Sequence, residues 1–328
     1  MGAKGIMRMR MNSIETARWL SERDNFLIIT HRRPDGDTLG CAAGLVQGLK
    51  EAGKTAFILF NSEATARYLP YVQKHWAPDG YKPSYIIAVD IASPGLFPGN
   101  WQSDGSDIAL CIDHHPSNTG YAQATCLDIE KASCGEIIYE ILSALSGRIS
   151  AITAAALYVA VSTDTGCFAY SNTNAGAHHV AGALVDAGAP IGEINKAIFR
   201  TKAKSRILIE AMIITGMEFY YDGAVAIATI TCDMMKNAGA SENEMDDIAA
   251  ISNSIEGVIA GITIRELTGP GDCKVSIRTT PLVNANLLAS KFGGGGHVTA
   301  SGFSLNASAE EIKKLLLDAL GDIFPLKA

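Results

Sequence analysis

The sequence predicts an α/β protein: a mostly parallel, doubly wound sheet followed by a smaller α+β domain. Three observations predict it. Over the first 190 residues, four short apolar runs alternate with stretches whose apolar residues recur at helical spacing, the pattern of a parallel sheet. Beyond residue 217 the pattern changes to closely spaced strand pairs joined by Asp-Gly and Gly-Pro-Gly-Asp turns. The chain has 328 residues, 48% of them hydrophobic, more than one core usually organises, so two domains are expected. We place them at 1–190 and 218–328, with a helical linker at 191–217 and an active-site cleft between the domains.

In chain order, Phe26–Thr30 (FLIIT) reads as a buried strand, and Leu39, Ala42, Ala43, Val46 and Leu49 as one face of the helix after it. Gly40, Ala42, Ala43 and Gly44 would let that helix lie close to the sheet. Ala56–Phe60, Tyr85–Val89 and Ile108–Ile112 are the next three strands. Helices follow at Ser133–Leu145, with Ser133 as N-cap, at Thr153–Ser162 and at Ala175–Ala187. Gly192–Met217 reads as two helices with a basic join at Arg200–Arg206. Phe219–Tyr221 with Ala224–Thr231, and Val258–Leu267 with Cys273–Thr279, read as hairpins. Helices at Glu242–Ser254, Val283–Lys291 and Ala309–Leu320 complete the second domain.

Charge and cysteine usage exclude several classes. There are 27 Lys and Arg against 34 Asp and Glu, a formal net charge of −7. With a pI near 5.5, a broad basic face for long or duplex nucleic acid is disfavoured, although a small phosphorylated ligand is not. No run approaches the length of a membrane span, and the basic N-terminal MGAKGIMRMRMN lacks the apolar core of a signal peptide. Seven scattered cysteines without a C-x-x-C read as reduced core thiols of a cytoplasmic protein.

The chemistry gathers at strand ends. The first strand runs into Thr30-His31-Arg32-Arg33-Pro34-Asp35-Gly36-Asp37, the third into Asp90, and the fourth into Asp113-His114-His115. In open α/β sheets the ligand crevice lies beyond the carboxyl ends of the strands, so these groups should converge. Asp164, at the end of an apolar helix, could close the same pocket. Asp-Gly-Asp alone is also an ordinary turn and N-cap, and a lone strand-end Asp is usually solvated. All three ends together with His-His point further. Carboxylates in such number remain ionised side by side only if cations neutralise them. Oxygen and imidazole donors without thiolate suit Mn²⁺ or Mg²⁺, with Zn²⁺ or Co²⁺ as alternatives.

These residues resemble the DHH phosphoesterase superfamily. The motifs are H-x-x-P-D-G-D-x-x-G at His31–Gly40, V-D at Val89-Asp90, D-H-H at Asp113–His115, S-T-D-T-G at Ser162–Gly166, and G-G-G-G-H-x-x-A-S-G at Gly293–Gly302. Their order and the chain's size look most like the NrnA-type subgroup, which degrades very short oligoribonucleotides and dephosphorylates 3′-phosphoadenosine 5′-phosphate. One departure is Cys41, where the subgroup commonly has Ser. The resemblance implies two divalent metals, Mn²⁺ foremost with Mg²⁺ and Co²⁺ as alternatives. One would be held by His31, Asp35 and Asp90, the other by Asp37, Asp90, His114 and Asp164. Asp113 would orient a histidine, and His115 would face the scissile phosphoryl group. Two such metals activate a water and neutralise charge in an in-line phosphoryl transfer.

The resemblance further implies that Gly294, Gly295, Gly296 and His297 touch substrate and that Arg278 meets a non-scissile phosphate, with Arg265 a weaker candidate. From the residues alone, Gly293–Gly296 could be a hinge, but an apolar segment leads straight into it and no polar linker follows. The expected partner is thus a short oligoribonucleotide or phosphorylated nucleotide, with a homodimer through exposed first-domain helices as one expectation for assembly. Rival readings are a RecJ-type single-strand exonuclease, a cyclic-dinucleotide phosphodiesterase, a phosphoanhydride hydrolase and a non-enzymatic nucleotide sensor. Gly48–Thr55 fits the P-loop spelling but closes a helix instead of opening one. His178 and His179 point apart on a helix, His75 and Trp76 have no evident partners, and Tyr170 could line the pocket, although a tyrosine in such a place is more often core.

Overall fold

The computed structural model describes residues 9–245, 248–321 and 323–324; the N-terminal stretch 1–8 lies outside the described residues. The chain divides into two compact units, one ending at Thr201 and the other beginning at Lys202.

The first unit contains β1 (Met9–Met11), α1 (Ser13–Ser21), β2 (Phe26–Ile29), α2 (Gly36–Glu51), β3 (Ala56–Ile58) and the single turn α3 (Leu69–Val72). It continues with β4 (Tyr85–Val89), β5 (Leu110–Asp113), β6 (Ala124–Leu127), α4 (Cys134–Ser146), α5 (Ala151–Asp164), α6 (Ala175–Asp186) and α7 (Ile191–Asn195). Its six strands pair in the order β1-β6-β5-β4-β2-β3, every pairing parallel. Strand side chains alternate between faces. Phe26, Ile28, Ile87, Val89, Leu110 and Ile112 enter the core shared with α2, α4 and α5. Ile29, Ala88 and Cys111 point the other way, under Ile91, Phe97, Ile108 and Tyr121. Burial on both faces is why these strands read as continuous apolar runs.

Two strands of this unit escape the sequence pattern. β1 and β6 are short and pair with each other at the sheet edge, where three or four residues give no measurable period. The strand expected at Ile108–Ile112 runs from Leu110 to Asp113, so Asp113 is itself a strand residue. α2 ends at Glu51, and Gly53, at φ +77°, turns the chain towards β3, so the P-loop spelling does close a helix. All seven cysteines are free thiols.

The second unit contains α8 (Lys204–Thr215), β7 (Glu218–Tyr220), β8 (Val225–Ile230), α9 (Cys232–Ala238), β9 (Ala260–Gly269) and β10 (Asp272–Thr279). α10 (Ala285–Ser290), β11 (Gly295–Gly296), β12 (Ala300–Leu305) and α11 (Ala309–Gly321) follow. The sheet order is β11-β12-β10-β9-β8-β7, mixed because β8 and β9 run parallel. Both expected hairpins, β7–β8 and β9–β10, are present. Val225 and Ile227 pack with Ile312, Leu316 and Leu320 of α11, whereas Ala228 and Ile230 pack with Ile209 and Ile213 of α8.

The helix expected at Glu242–Ser254 is instead a pair of 3₁₀ segments, Glu242–Glu244 and Ile248–Asn253, with residues 246 and 247 outside the described set. The backbone at Ser252-Asn253 lies so close to β9 that a Cβ on Gly261 would sit 2.6 Å from the Asn253 nitrogen. Packing onto the sheet overrides the helical periodicity there. Among the described residues, no helix is long and apolar enough to cross a membrane.

Candidate metal centre

The carboxyl ends of β2, β4 and β5, the N-terminus of α2 and the C-terminus of α5 bring six side chains together: His31, Asp35, Asp37, Asp90, His114 and Asp164. Asp35 is the N-cap of α2, its Oδ1 accepting the amides of Asp37 (3.0 Å) and Thr38 (3.2 Å). The cap role and the cluster role thus coexist in one carboxylate, with 60% of its side chain exposed. Asp37 is buried and fully tied. The Cys41 thiol donates to Oδ1 at 3.1 Å, the Gly135 amide to Oδ1 at 3.1 Å and the Cys134 amide to Oδ2 at 2.8 Å. Asp37 therefore takes over the capping of α4, and Ser133, at the N-cap position, makes no cap bond through its side chain.

Asp90 follows β4 with φ +59°, a conformation that non-glycine residues adopt only where the surroundings enforce it. Its side chain is 3% exposed, and Oδ1 has no hydrogen-bond partner. That oxygen lies 3.6 Å from His114 Nε2 and 3.4 Å from His115 Nδ1, while Oδ2 lies 3.7 Å from His31 Nε2. His114 Nε2 is also 3.8 Å from Asp37 and 3.5 Å from Asp164. The same histidine donates from Nδ1 to the Lys131 carbonyl (3.1 Å), and His31 donates from Nδ1 to the Arg32 carbonyl (2.8 Å). A carbonyl only accepts, so both rings carry the proton on Nδ1 and turn Nε2 into the cluster.

Asp113 is placed differently. Its buried carboxylate receives the amides of His114 and His115, the His115 ring Nδ1 at 2.7 Å and the Asn118 amide at 2.6 Å. It holds the His115 ring, whose side chain is 42% exposed, against a cavity of about 320 Å³. His31, Arg32, Arg33, Asp35, Leu96 and Asp164 are also in its walls. Arg32 and Arg33 were not among the residues singled out in the sequence, although they stand inside its most informative motif. Two cations at the mouth of an acidic pocket suit an anionic ligand.

The electrostatics are those of a site that wants cations. Burial first, then the charges of Asp164 and Asp35, push Asp37 well above the usual carboxylate range. Burial and Asp37 do the same to Asp90. His115 is raised, chiefly by its bond to Asp113, and His31 is raised by Asp35 although burial opposes it. Among the described residues, no Lys or Arg pairs with any carboxylate of the cluster. One donor atom from each of His31, Asp35 and Asp90 lies within 4.8 Å of the others, as do those of Asp37, His114 and Asp164, and of Asp90, His114 and His115. The orphaned Asp90 oxygen inside this hard donor set fits divalent cations, since among the described residues no Lys or Arg pairs with it and no hydrogen bond reaches it.

In the second unit the glycine tract is a shaped hairpin. β11 pairs with β12, and a Cβ on Gly294 would sit 2.3 Å from the Gly302 carbonyl oxygen. His297 stands exposed at the tip, its amide donating to Ala300 O (2.8 Å) and its carbonyl accepting the Ser301 hydroxyl (2.7 Å). Gly295 and Gly296 are exposed beside it, and Arg278 sits on β10 opposite Ala300. Arg265 is paired with Glu242 at 3.0 Å, an ordinary surface ion pair. Tyr170 is exposed and lies against Gly166, so it is not a core residue. His178 stacks on Phe168 at 5.2 Å.

Two family models match the chain: the DHH family N-terminal domain over residues 25–162 and the DHHA1 domain over residues 222–324. A bifunctional oligoribonuclease and PAP phosphatase NrnA of Thermus thermophilus is 29% identical over 85% of this chain and 83% of its own length. The protein of that name from Bacillus subtilis is 26% identical over 93% and 96%. A cyclic-di-AMP phosphodiesterase GdpP of Geobacillus thermodenitrificans is 26% identical over 97% of this chain but only 50% of its own. The crystal structure of an exopolyphosphatase-related protein from Bacteroides fragilis superposes with a TM-score of 0.82 at 23% identity, covering 96% and 97% of the two chains, so the fold is shared.

Proposed function

The chain belongs to the DHH family of metal-dependent phosphoesterases, and from that premise we propose that it hydrolyses short oligoribonucleotides to mononucleotides and 3′-phosphoadenosine 5′-phosphate to AMP and phosphate. The observation that carries the reading is the buried, unpartnered Asp90 oxygen at the centre of a cluster of imidazoles and carboxylates. His31, Asp35 and Asp90 would hold one divalent cation, and Asp37, Asp90, His114 and Asp164 a second, with Mn²⁺ the first choice. When bound, such cations neutralise phosphoryl charge and make a water acidic enough to attack. Asp113 holds the His115 ring towards the cavity, where it can donate a proton to a leaving oxygen. Arg32 and Arg33 offer cationic partners to phosphate oxygens. We assign Arg278, Gly294, Gly295, Gly296 and His297 to contacts with the rest of the nucleotide.

Likeness to the two oligoribonucleases over most of both chains supports this substrate class. The likeness to a cyclic-di-AMP phosphodiesterase favours cyclic dinucleotides as a second reading. An assay with Mn²⁺ should compare a diribonucleotide, 3′-phosphoadenosine 5′-phosphate, cyclic di-AMP, a long single strand and pyrophosphate. Turnover of the first two and not the last two is expected. Turnover of cyclic di-AMP alone would transfer the assignment to the second reading, and no turnover with Mn²⁺, Mg²⁺ or Co²⁺ would end both.

A further inference from the structure

Glu136 lies in the first turn of α4, 0% exposed, and one of its carboxylate oxygens, Oε2, has no partner. Its other oxygen accepts the Ala132 amide at 2.8 Å. That amide belongs to the same peptide group as the Lys131 carbonyl, which takes the proton of His114 Nδ1 at 3.1 Å. One peptide unit thus has a buried carboxyl group on its N–H end and a histidine on its C=O end. His31 repeats the arrangement: its Nδ1 bonds the Arg32 carbonyl at 2.8 Å, and the N–H of the same peptide, on Arg33, donates to Glu63 Oε2 at 3.1 Å. The third histidine, His115, meets its carboxylate, Asp113, with no peptide between them.

We infer that Glu136 is a positioning residue that acts on His114 through the Lys131–Ala132 peptide, and that Glu63 acts likewise on His31. A carboxylate at the N–H end polarises the peptide, so its carbonyl becomes a stronger acceptor for the imidazole proton. The ring is thereby locked in the tautomer that turns Nε2 towards the cluster, and Nε2 becomes a better electron-pair donor. Carboxylates behind metal-binding histidines do this directly in many proteins; here the peptide carries the effect. Glu136 is sealed from water, so its influence is unscreened, whereas Glu63 is exposed and its influence weaker. The spacing has a structural origin. Asp37 already caps α4, and Glu136, at the third position of that helix, turns back to the Ala132 amide ahead of it.

The inference rests on the reading of His114 as a metal ligand, and the test separates the two. Mn²⁺ affinity of the full chain is measured by titration calorimetry for wild type, Glu136→Gln, Glu63→Gln and His114→Ala. Gln keeps the shape and an oxygen for the Ala132 amide but removes the charge. Glu136→Gln should weaken Mn²⁺ binding about tenfold, and Glu63→Gln about twofold, with melting temperatures near wild type. In the Mg²⁺-loaded protein, Glu136→Gln should also move the Ala132 amide proton upfield and shift the His114 ring nitrogens. Wild-type Mn²⁺ affinity in Glu136→Gln, alongside loss in His114→Ala, would overturn the relay and leave the metal site standing. Wild-type affinity in His114→Ala would instead overturn the ligand assignment, and the relay with it. Should Glu136→Gln fail to fold, the tautomer of His114 in Mg²⁺-loaded wild type decides. Nitrogen chemical shifts showing the proton on Nδ1 and a downfield Ala132 amide support the relay, and a proton on Nε2 overturns it.

Discussion

Asp90 concentrates the costs of the site in one residue. It is buried beside Asp37, adopts φ +59° and leaves an oxygen without a bond. Each feature opposes folding of the metal-free chain. Asp90→Asn isolates the charge, because asparagine tolerates the left-handed conformation and nearly preserves the shape. In EDTA the variant should melt a few degrees above wild type, since one of two crowded carboxylates is gone. In Mn²⁺ the order should reverse, and turnover should drop at least about a thousandfold, or about 4 kcal/mol of barrier. Turnover within tenfold of wild type would refute the bridging assignment. His75 carries a separate cost. It is 3% exposed with Nδ1 unpartnered, and burial, then Lys50 and Lys74, lower its pKa to about 4. The unfolded chain takes up this proton first, near pH 6.5, so stability is complete above that value and declines as pH falls towards 4. Spread over that range, the loss comes to about 3 kcal/mol. His75→Leu should flatten the melting temperature between pH 7 and pH 5, and an unchanged slope would remove His75 as its source.

The pairing of α2 with α5 is what sets the distance between Asp37 and Asp164 at their ends. Gly36, Gly40 and Gly44 line the contact, and a Cβ on Gly40 would lie 2.6 Å from the Ala156 carbonyl oxygen and 2.7 Å from the Ala160 nitrogen. Backbone cannot yield as a side-chain tip can, so Gly40→Ala must push the helices apart. We expect a loss of about 3 kcal/mol, read by urea unfolding, together with weaker Mn²⁺ binding. Gly182, in α6, has nothing within 4 Å of its added Cβ, and Gly182→Ala should gain about 0.5–1 kcal/mol from helix propensity. Equal effects at the two positions would refute the packing account. The first position was legible in the sequence as a run of small residues, because close packing leaves a compositional mark. The strand-end donors of the candidate metal centre were legible for a similar reason, since each apolar run stops abruptly at its charged residue. What holds those donors was not. Asp37 is tied by amides 97 and 98 residues away, and His114 by a carbonyl 17 residues on, and main-chain donors leave no trace in residue identity. The 3₁₀ path at 248–253 was hidden for another reason: contact with Gly261, not local periodicity, decides it.

At the scale of the whole chain, part of the acidity sits where cations would use it. Five of the 34 acidic residues, Asp35, Asp37, Asp90, Asp113 and Asp164, belong to the candidate metal centre or lie against it. Two divalent cations would bring the formal charge from −7 to −7 + 4 = −3. Metal binding would act on the first unit, because every proposed ligand precedes Thr201 and the second unit has its own hydrophobic cores. The tryptophans give a direct way to see this. All three, Trp19, Trp76 and Trp101, lie in the first unit, so tryptophan fluorescence reports its unfolding alone. A site held at one hundred times its dissociation constant contributes about 2.7 kcal/mol, which for a unit of this size moves the midpoint by roughly 5–10 °C. Adding Mn²⁺ to EDTA-treated protein should therefore raise the tryptophan transition by at least that amount. The second unit can be followed in the same melts through hydrogen exchange of amides in β9 and β10, whose protection should not change. A tryptophan transition indifferent to Mn²⁺ would place the metal elsewhere or nowhere. If β9 and β10 instead became as strongly protected as the first unit, the two units would be thermodynamically coupled, and the binding energy would be shared by the whole chain.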